Sequence, residues 1–579
     1  MNKGCRLLFL FVIGVMSPAR SGESTSGAPG ARPSQVSTPS STRAETAVLQ
    51  EEPVLELLFT YGSEKKKWVE DITPRFNAEA HKLPSGERIR VKTVAIGSGE
   101  LIDEALSGRR QSHLVSPAAS TFIQRGNSES RESGKGDLIG PTRDLVSSPI
   151  VVAMWRDMAE AIGWPGRNPR WHEIFEYARK PERWEQVANP EWGPFKFGHT
   201  HPEFSNSGLH TLFAETYAAL GKFDNVNRRD VTTEVDKVSR YIREVESAVD
   251  HYGSSTGFLA DSMFGEGGRN YLSAAVLYEN LVIEANQSGH RDAGGLPRIV
   301  AIYPADGTFP CNHPAGVVSR PWVTEKHRAA AAIYVDYLLE RPQQELALKY
   351  GFRPSDPSID TKGLLTPENG ADPAQPKKNL EPPPASVIRF ILDAWRVSKR
   401  HADIVLAIDT SASMMGDKIK NAEEAAKSFI RQFSANDTLS TMIFGADVEW
   451  MTKGRLMDAD GIREAVQSID KLEPDGDTAL YNAIDSARRF LEDRDPKRIR
   501  AIVILSDGKD TKRNLALNDI IERLKIDSKN DPIFVFTIGY GTDADADALK
   551  QISESTKASY YEGKVDNIRK VFTDIATFF

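Results

Sequence analysis

The sequence predicts an α/β protein made of two modules in series. Strand and helix signals alternate from about residue 53 to 360, which argues for an α/β fold with a mainly parallel sheet. A Pro-rich stretch at 363–384 then separates this region from the rest. From about residue 400 the alternation resumes as a doubly wound pattern, with helices on both faces of a sheet. The second module is organised around Ile404-Val405-Leu406-Ala407-Ile408, an unbroken apolar run of the kind a strand buried on both faces requires.

At 579 residues the chain is long enough for two or three domains, each with its own core. The net charge of −8 is mild and no basic block stands out, which argues against nucleic acid as a partner. The two cysteines are Cys5 and Cys311. Once a leader is removed Cys311 has no partner, so the fold must stand without an internal disulfide, and Cys311 reads as a small buried apolar side chain.

Residues 1–21 read as a secretory signal peptide: Lys3 and Arg6 supply the positive start, Leu7–Met16 the apolar core, and Ser17-Pro18-Ala19 a cleavage region. Ten apolar residues fall short of the roughly 20 that a membrane span needs. The protein is therefore expected to be exported, periplasmic or extracellular. Membrane association is expected only through an uncleaved N-terminus or a partner. Residues 22–52, rich in Ser, Thr, Pro and Gly, read as a disordered spacer.

The first module opens with the strand Val54–Phe59, then a loop to Ser63 and a helix through Trp68, Ile72 and Phe76. A strand at Ile89–Val94, a helix at Leu101–Leu106 and a strand at Leu114–Ser120 follow. Leu145–Met154 is a long extended run, and Trp171–Tyr177 is helical. His199-Thr200-His201-Pro202 leads through Ser205–Gly208 into a helix at Leu209–Leu220, and the return passage Arg298–Thr308 precedes Gly316–Val318 and the helix Glu325–Leu339. Unpaired N–H groups and hydroxyls at a helix start suit an anion.

In the second module the helical faces are Ile419-Ala422-Ala426-Phe429-Ile430-Phe433, Ile462-Val466-Ile469-Leu472 and Leu480-Ala483-Ile484-Ala487-Leu491. Thr441–Phe444, Ile502–Leu505 and Ile533–Ile538 are strands, and Val565–Phe572 supplies most of a closing helix. Between the modules, a helix at 386–397 puts Val387, Phe390, Ile391 and Trp395 on one face.

The apolar strand runs directly into Asp409-Thr410-Ser411-Ala412-Ser413, which places one carboxylate and two hydroxyls at its carboxyl end. Gly476-Asp477-Thr478 and Ser506-Asp507-Gly508 complete a set of hard oxygen donors suited to Mg²⁺ or Mn²⁺. Singly, such residues end strands and cap helices; five of them, each after the right element, favour a metal. Residues 400–579 resemble a von Willebrand factor A domain with a metal-ion-dependent adhesion site. The resemblance implies a Rossmann-like doubly wound fold. It also implies that Ser411, Ser413 and Thr478 bind the metal directly, while Asp409 and Asp507 act largely through water. One coordination position would remain for an acidic group of a protein partner.

Residues 53–362 resemble a bacterial extracellular solute-binding protein of the molybdate, sulfate and ferric-ion type. The matching pieces are the first strand with its Ser63 loop, Ser116-Pro117, the extended crossing run, His201-Pro202 with Ser205–Gly208, and Tyr303–Thr308. The resemblance implies a two-lobed periplasmic-binding-protein-like (type II) module, with lobe one at 53–148 plus 312–362 and lobe two at 149–311. A linker at 363–384 and a connecting helix at 385–399 would lead to the second module. The cleft candidates are Ser63, Ser116, Ser205, Ser207 and Gly208, with Tyr303 and Asp306 nearer the hinge. Hydroxyls and amides suit a tetrahedral oxyanion, whereas a ferric site would use Tyr and carboxylate ligands; a small solute or a peptide are the other occupants considered.

Three further motifs compete for attention. Gly253-Ser254-Ser255-Thr256-Gly257 matches the Gly-x-Ser-x-Gly elbow of serine hydrolases, but the residues before it have helical spacing where the elbow needs a strand. His199, His201 and His210 lack a recognisable zinc spacing. Asp543-Ala544-Asp545-Ala546-Asp547 with Glu554 partly copies a calcium loop, but Ala548 stands where a glycine is needed. The sequence thus points to a non-enzymatic binding protein with an adhesion-type metal module. A solute receptor of an ABC-type transporter is the second reading, and a serine hydrolase the third.

Overall fold

The computed structural model describes residues 53–579, except 250–251, 266–267, 291–293, 296–297, 471, 513–514, 526–532, 557 and 566. The signal-peptide and spacer readings, and Cys5, lie outside the described residues.

The first module holds two principal sheets. One has five strands in the spatial order Arg88–Ile96, Val54–Gly62, Leu114–Ser116, Pro314–Val318, Ile139–Asp144. The other has four, in the order Phe197–Gly198, Ala274–Tyr278, Ile150–Trp155, Ile299–Ile302. These sheets are mixed rather than mainly parallel. Val54–Gly62 pairs in parallel with Arg88–Ile96 and Leu114–Ser116, whereas Pro314–Val318 runs antiparallel to both its neighbours. In the second sheet Ile150–Trp155 is antiparallel to both of its neighbours. The chain crosses between the lobes and returns, so the outgoing and returning segments run in opposite directions. At the crossing the amides of Leu145, Ser148 and Ile150 donate to the carbonyls of His313, Cys311 and Phe309 at 3.2, 2.9 and 3.0 Å. Cys311 is fully buried there.

The second module is a six-stranded sheet in the order Val448–Leu456, Thr438–Phe444, Ala402–Asp409, Ile499–Ser506, Ile533–Tyr540, Tyr560–Gly563. All pairs are parallel except the edge pair of Thr438–Phe444 with Val448–Leu456. Side chains alternate across a strand: Ile404, Leu406 and Ile408 enter one hydrophobic core, and Val405 and Ala407 the other. Two cores sandwiching one sheet explain the uninterrupted apolar run. Strand order reverses between Ala402–Asp409 and Ile499–Ser506, so a crevice opens beyond their carboxyl ends, where open α/β sheets bind ligands.

The connecting helix Ala385–Arg396 belongs by packing to the first module. It lies against Asn206–Leu220, Arg228–Thr233, Val235–Glu246 and Ser120–Glu132, with Val387, Ile391 and Trp395 buried. The Pro-rich stretch runs along lobe two. Ala301 and Thr308 donate to the carbonyls of Gly370 and Lys378 at 2.8 and 3.1 Å, and Leu380 returns a bond to Thr308 at 2.8 Å. The modules meet at the end of this helix. The Trp395 ring lies 4.9 Å from His201 and 5.5 Å from Tyr252, and the Tyr252 amide donates to the Phe578 carbonyl at 3.4 Å. Lys399 Nζ reaches Asp437 at 3.3 Å and also donates to the Phe579 carbonyl.

Candidate metal centre and solute cleft

The strand Ala402–Asp409 delivers Asp409, fully buried, to the crevice. Its Oδ1 accepts from the Ser411 amide at 2.8 Å and its Oδ2 from Ser506 Oγ at 2.5 Å. Burial pushes its pKa up, with Asp507 adding to the shift, and the two bonds aim the carboxylate and oppose that rise in part. Ser411 Oγ lies 3.1 Å from Ser413 Oγ, which donates to Asp507 Oδ1 at 2.7 Å. A methyl group built on Gly508 would sit 3.4 Å from Thr478 Oγ1 and 3.8 Å from Ser413 Oγ, so those hydroxyls border one small space.

Backbone bonds tie the three loops together. Ala412 donates to the Gly476 carbonyl at 3.2 Å, and Thr511 to the Thr478 carbonyl at 2.9 Å, while Thr511 Oγ1 accepts from the Thr478 amide at 2.9 Å. Asp409, Ser411, Ser413, Thr478 and Asp507 are thus brought to one end of the sheet. Their donor set is all oxygen, two carboxylates and three hydroxyls, which fits a hard divalent cation. Sequence reasoning missed Lys418, whose Nζ lies 2.6 Å from Asp507 Oδ2. The available signal was its position in the first turn of the helix Asp417–Ile430, immediately after the loop.

In the cleft the structure gathers part of the expected set. Ser63 Oγ, at the end of Val54–Gly62, donates to Ser255 Oγ at 2.7 Å and accepts from the Gly257 amide at 3.0 Å. Thr256 Oγ1 lies 3.2 Å from Ser205 Oγ and 2.8 Å from Ser207 Oγ, and Thr200 Oγ1 accepts from the Gly208 amide at 2.8 Å. These groups are buried, and helices begin at Asn206 and Thr256 beside them. Ser255, Thr256 and Thr200 were absent from the expected set. Ser116 pairs with Tyr61 in the sheet, and its Oγ donates to the His313 carbonyl at 3.4 Å. The lobes are shut on each other, since the Gly99 amide of lobe one donates to the Phe204 carbonyl of lobe two at 2.7 Å.

Tyr303 and Asp306 are used elsewhere. Tyr303 Oη donates to Glu279, which Arg353 grips through two bonds of 2.7 Å, and Asp306 Oδ1 accepts from the Trp171 amide at 3.2 Å at a helix start. Among the described residues neither is hydrogen-bonded into the serine cluster. Beside the crossing, Lys65 and Glu64 form a buried pair at 2.6 Å, and Lys65 Nζ lies 3.1 Å from His313 Nδ1. The three motifs set aside earlier have ordinary partners. Ser255 starts a helix, and the described residues before Gly253 include the helix Val235–Glu246. His201 stacks on Phe204, and His210 Nδ1 bonds the Asn206 carbonyl. Asp545 caps the helix Ala546–Ser555 by accepting from the Ala548 amide.

Comparison with known proteins agrees with both halves of this architecture. Residues 57–353, more than half of the chain, match the family model described as bacterial extracellular solute-binding protein, and residues 402–561 match von Willebrand factor type A domain. The chain belongs to the bacterial extracellular solute-binding protein family and carries a von Willebrand factor type A domain behind it. Among curated relatives, human inter-alpha-trypsin inhibitor heavy chain H2 is 28% identical over 187 residues, 30% of this chain and 20% of that protein. The chain therefore spans about a fifth of that relative's length. Among solved structures, the sulfate-binding protein SubI from Mycobacterium tuberculosis aligns at 18% identity over 53% of this chain and 88% of that one, TM-score 0.36. A von Willebrand factor type A protein from Catenulispora acidiphila aligns at 20% identity over 31% and 42%, TM-score 0.28. No helix among the described residues is long and apolar enough to cross a membrane.

Proposed function

We propose that this chain is an exported, non-enzymatic binding protein that captures an acidic group of a protein partner through a divalent cation, and a solute or peptide through its cleft. The observation that carries the reading is the contact of Ser413 Oγ with Asp507 Oδ1 at 2.7 Å, with the Thr478 hydroxyl bordering the same space. In this reading Ser411, Ser413 and Thr478 hold Mg²⁺ or Mn²⁺, and Asp409 and Asp507 orient its water. The bound ion supplies an open coordination position to a carboxylate from outside. Lys418 neutralises Asp507 from the far side and limits how much negative charge the ion meets.

In the cleft, Ser63, Ser205, Ser207 and Gly208, together with Ser255 and Thr256, offer hydroxyls and amides at two helix starts. These suit a small oxyanion or a peptide carboxylate better than a ferric ion, because Tyr303 is engaged with Glu279. Domain boundaries follow the same division: solute module 53–362, linker 363–384, connecting helix 385–399, metal module 400–579. A solute receptor for an ABC-type transporter remains the second reading, favoured by the family of the first module. The deciding experiment is partner capture from the cell envelope with EDTA, then with added Mg²⁺. Metal-dependent capture supports adhesion, and its absence with tight solute binding supports the receptor reading.

A further inference from the structure

The fold assembles a second polar cluster that the sequence spacing conceals. His199 follows the short strand Phe197–Gly198, Glu215 lies within the helix Asn206–Leu220, and Glu246 ends the helix Val235–Glu246. All three are 0% exposed, and one ligand atom from each lies within 4.8 Å of the others. The outer atoms are already engaged. His199 Nδ1 lies 2.9 Å from the Thr200 carbonyl, and Glu246 Oε2 accepts from Tyr252 Oη at 2.6 Å. A carbonyl only accepts, so Nδ1 carries a proton, and Nε2 is the ring atom that faces inward.

The inner atoms have no such partners. Both oxygens of Glu215, Glu246 Oε1 and His199 Nε2 make no hydrogen bond among the described residues, although Nε2 and Oε1 are 3.3 Å apart. Nε2 and that carboxylate oxygen sit stably at this distance only with positive charge between them, a proton or a cation. Arg179 is committed elsewhere: it bonds Glu176 and Glu244 and stacks over Tyr241.

We propose that His199, Glu215 and Glu246 bind one buried divalent transition-metal ion of the zinc class. One imidazole and two carboxylates are a zinc-type donor set. Ligands about 2.0–2.1 Å from a tetrahedral ion lie about 3.3 Å from one another, which matches the His199–Glu246 separation. The two carboxylates cancel the charge of the ion. The Thr200 carbonyl and Tyr252 hydroxyl orient two of the ligands, as outer partners do in metal sites. Because Tyr252 also donates its amide to Phe578, the ion braces lobe two where the second module leans on it. This site is independent of the oxygen centre at Asp409.

The test uses the full chain with Asp409→Ala, so that the adhesion-type centre contributes nothing. Protein expressed with added zinc is dialysed against EDTA, and its metal content is measured by plasma mass spectrometry. One retained equivalent per chain, lost in both Glu215→Gln and Glu246→Gln, is expected; cobalt-grown protein should show visible d–d absorption that these variants lack. The melting temperature gives a second readout. Glu215→Gln should melt below its parent if an ion is lost, whereas a cluster filled only by protons would leave it unchanged or raise it, because glutamine mimics the protonated acid. A parent that retains no metal, or variants that retain as much as the parent, overturns the proposal.

Discussion

Ser413 Oγ donates to Asp507 Oδ1 at 2.7 Å, joining two loops whose residues are 94 positions apart in sequence. Everything proposed for the second module depends on this closure, because it brings a hydroxyl from the first loop onto the carboxylate of the third.

Lys418 Nζ lies 2.6 Å from Asp507 Oδ2. A divalent ion entering beside Asp507 meets this charge. Lys418→Met should therefore tighten Mg²⁺ binding, by roughly 3- to 10-fold for a partly exposed like charge, as measured by calorimetry. Weaker binding in the variant would show that Lys418 aligns Asp507 rather than opposing the ion.

Lobe closure leaves no room for a side chain at Gly99. A Cβ there would lie 2.1 Å from the Glu203 carbonyl of the opposite lobe. Gly99→Ala should hold the lobes apart and raise the radius of gyration in small-angle scattering, while each lobe stays folded. Scattering identical to the parent would contradict the closed arrangement.

Glu64 gives a pH dependence with a definite sign. Burial would raise its carboxyl, but Lys65 and His313 beside it hold it down to about 2. A carboxyl depressed below its unfolded value of about 4.3 contributes stability above that pH and loses it as pH falls toward 2. Acid should therefore loosen the crossing between the lobes over this window. Glu64→Gln should remove the effect and cost about 3–5 kcal/mol at neutral pH, because Lys65 is left buried without its partner. Chemical denaturation from pH 2 to 7 checks both.

Trp395 is 1% exposed and packs on His201 and Tyr252 at the end of the connecting helix. Trp395→Ala should cost about 3–5 kcal/mol from the cavity and lost packing. It should also split thermal unfolding into two transitions by freeing the second module. A single transition shifted by less than 1 °C would contradict the junction described.

How much of this was legible in the sequence depends on the length scale of the signal. The strand Ile404–Ile408 and the oxygen motifs following it are local, and the fold meets them at the expected sheet end. The helix Glu325–Leu339 has the bounds expected from the sequence. Val448–Leu456 was not read as a strand because it is a half-exposed polar edge, with little apolar content to mark its period. The mixed sheets of the first module were missed because strand direction follows from the lobe crossings, which no short stretch records. Ser255 and Thr256 were left out of the expected cleft set because their partners, Ser63, Ser205 and Ser207, arrive from residues 49 to 192 positions distant. His199 was weighed only against the histidines near it in sequence, whereas the fold sets it against Glu215 and Glu246.

The most direct measurement is a calorimetric Mg²⁺ titration of the full chain beside its Asp409→Ala variant, with circular dichroism to show that both are folded. Saturable binding is expected in the parent and its loss in the variant, with unchanged secondary structure. Equal heats from the two folded proteins would contradict it.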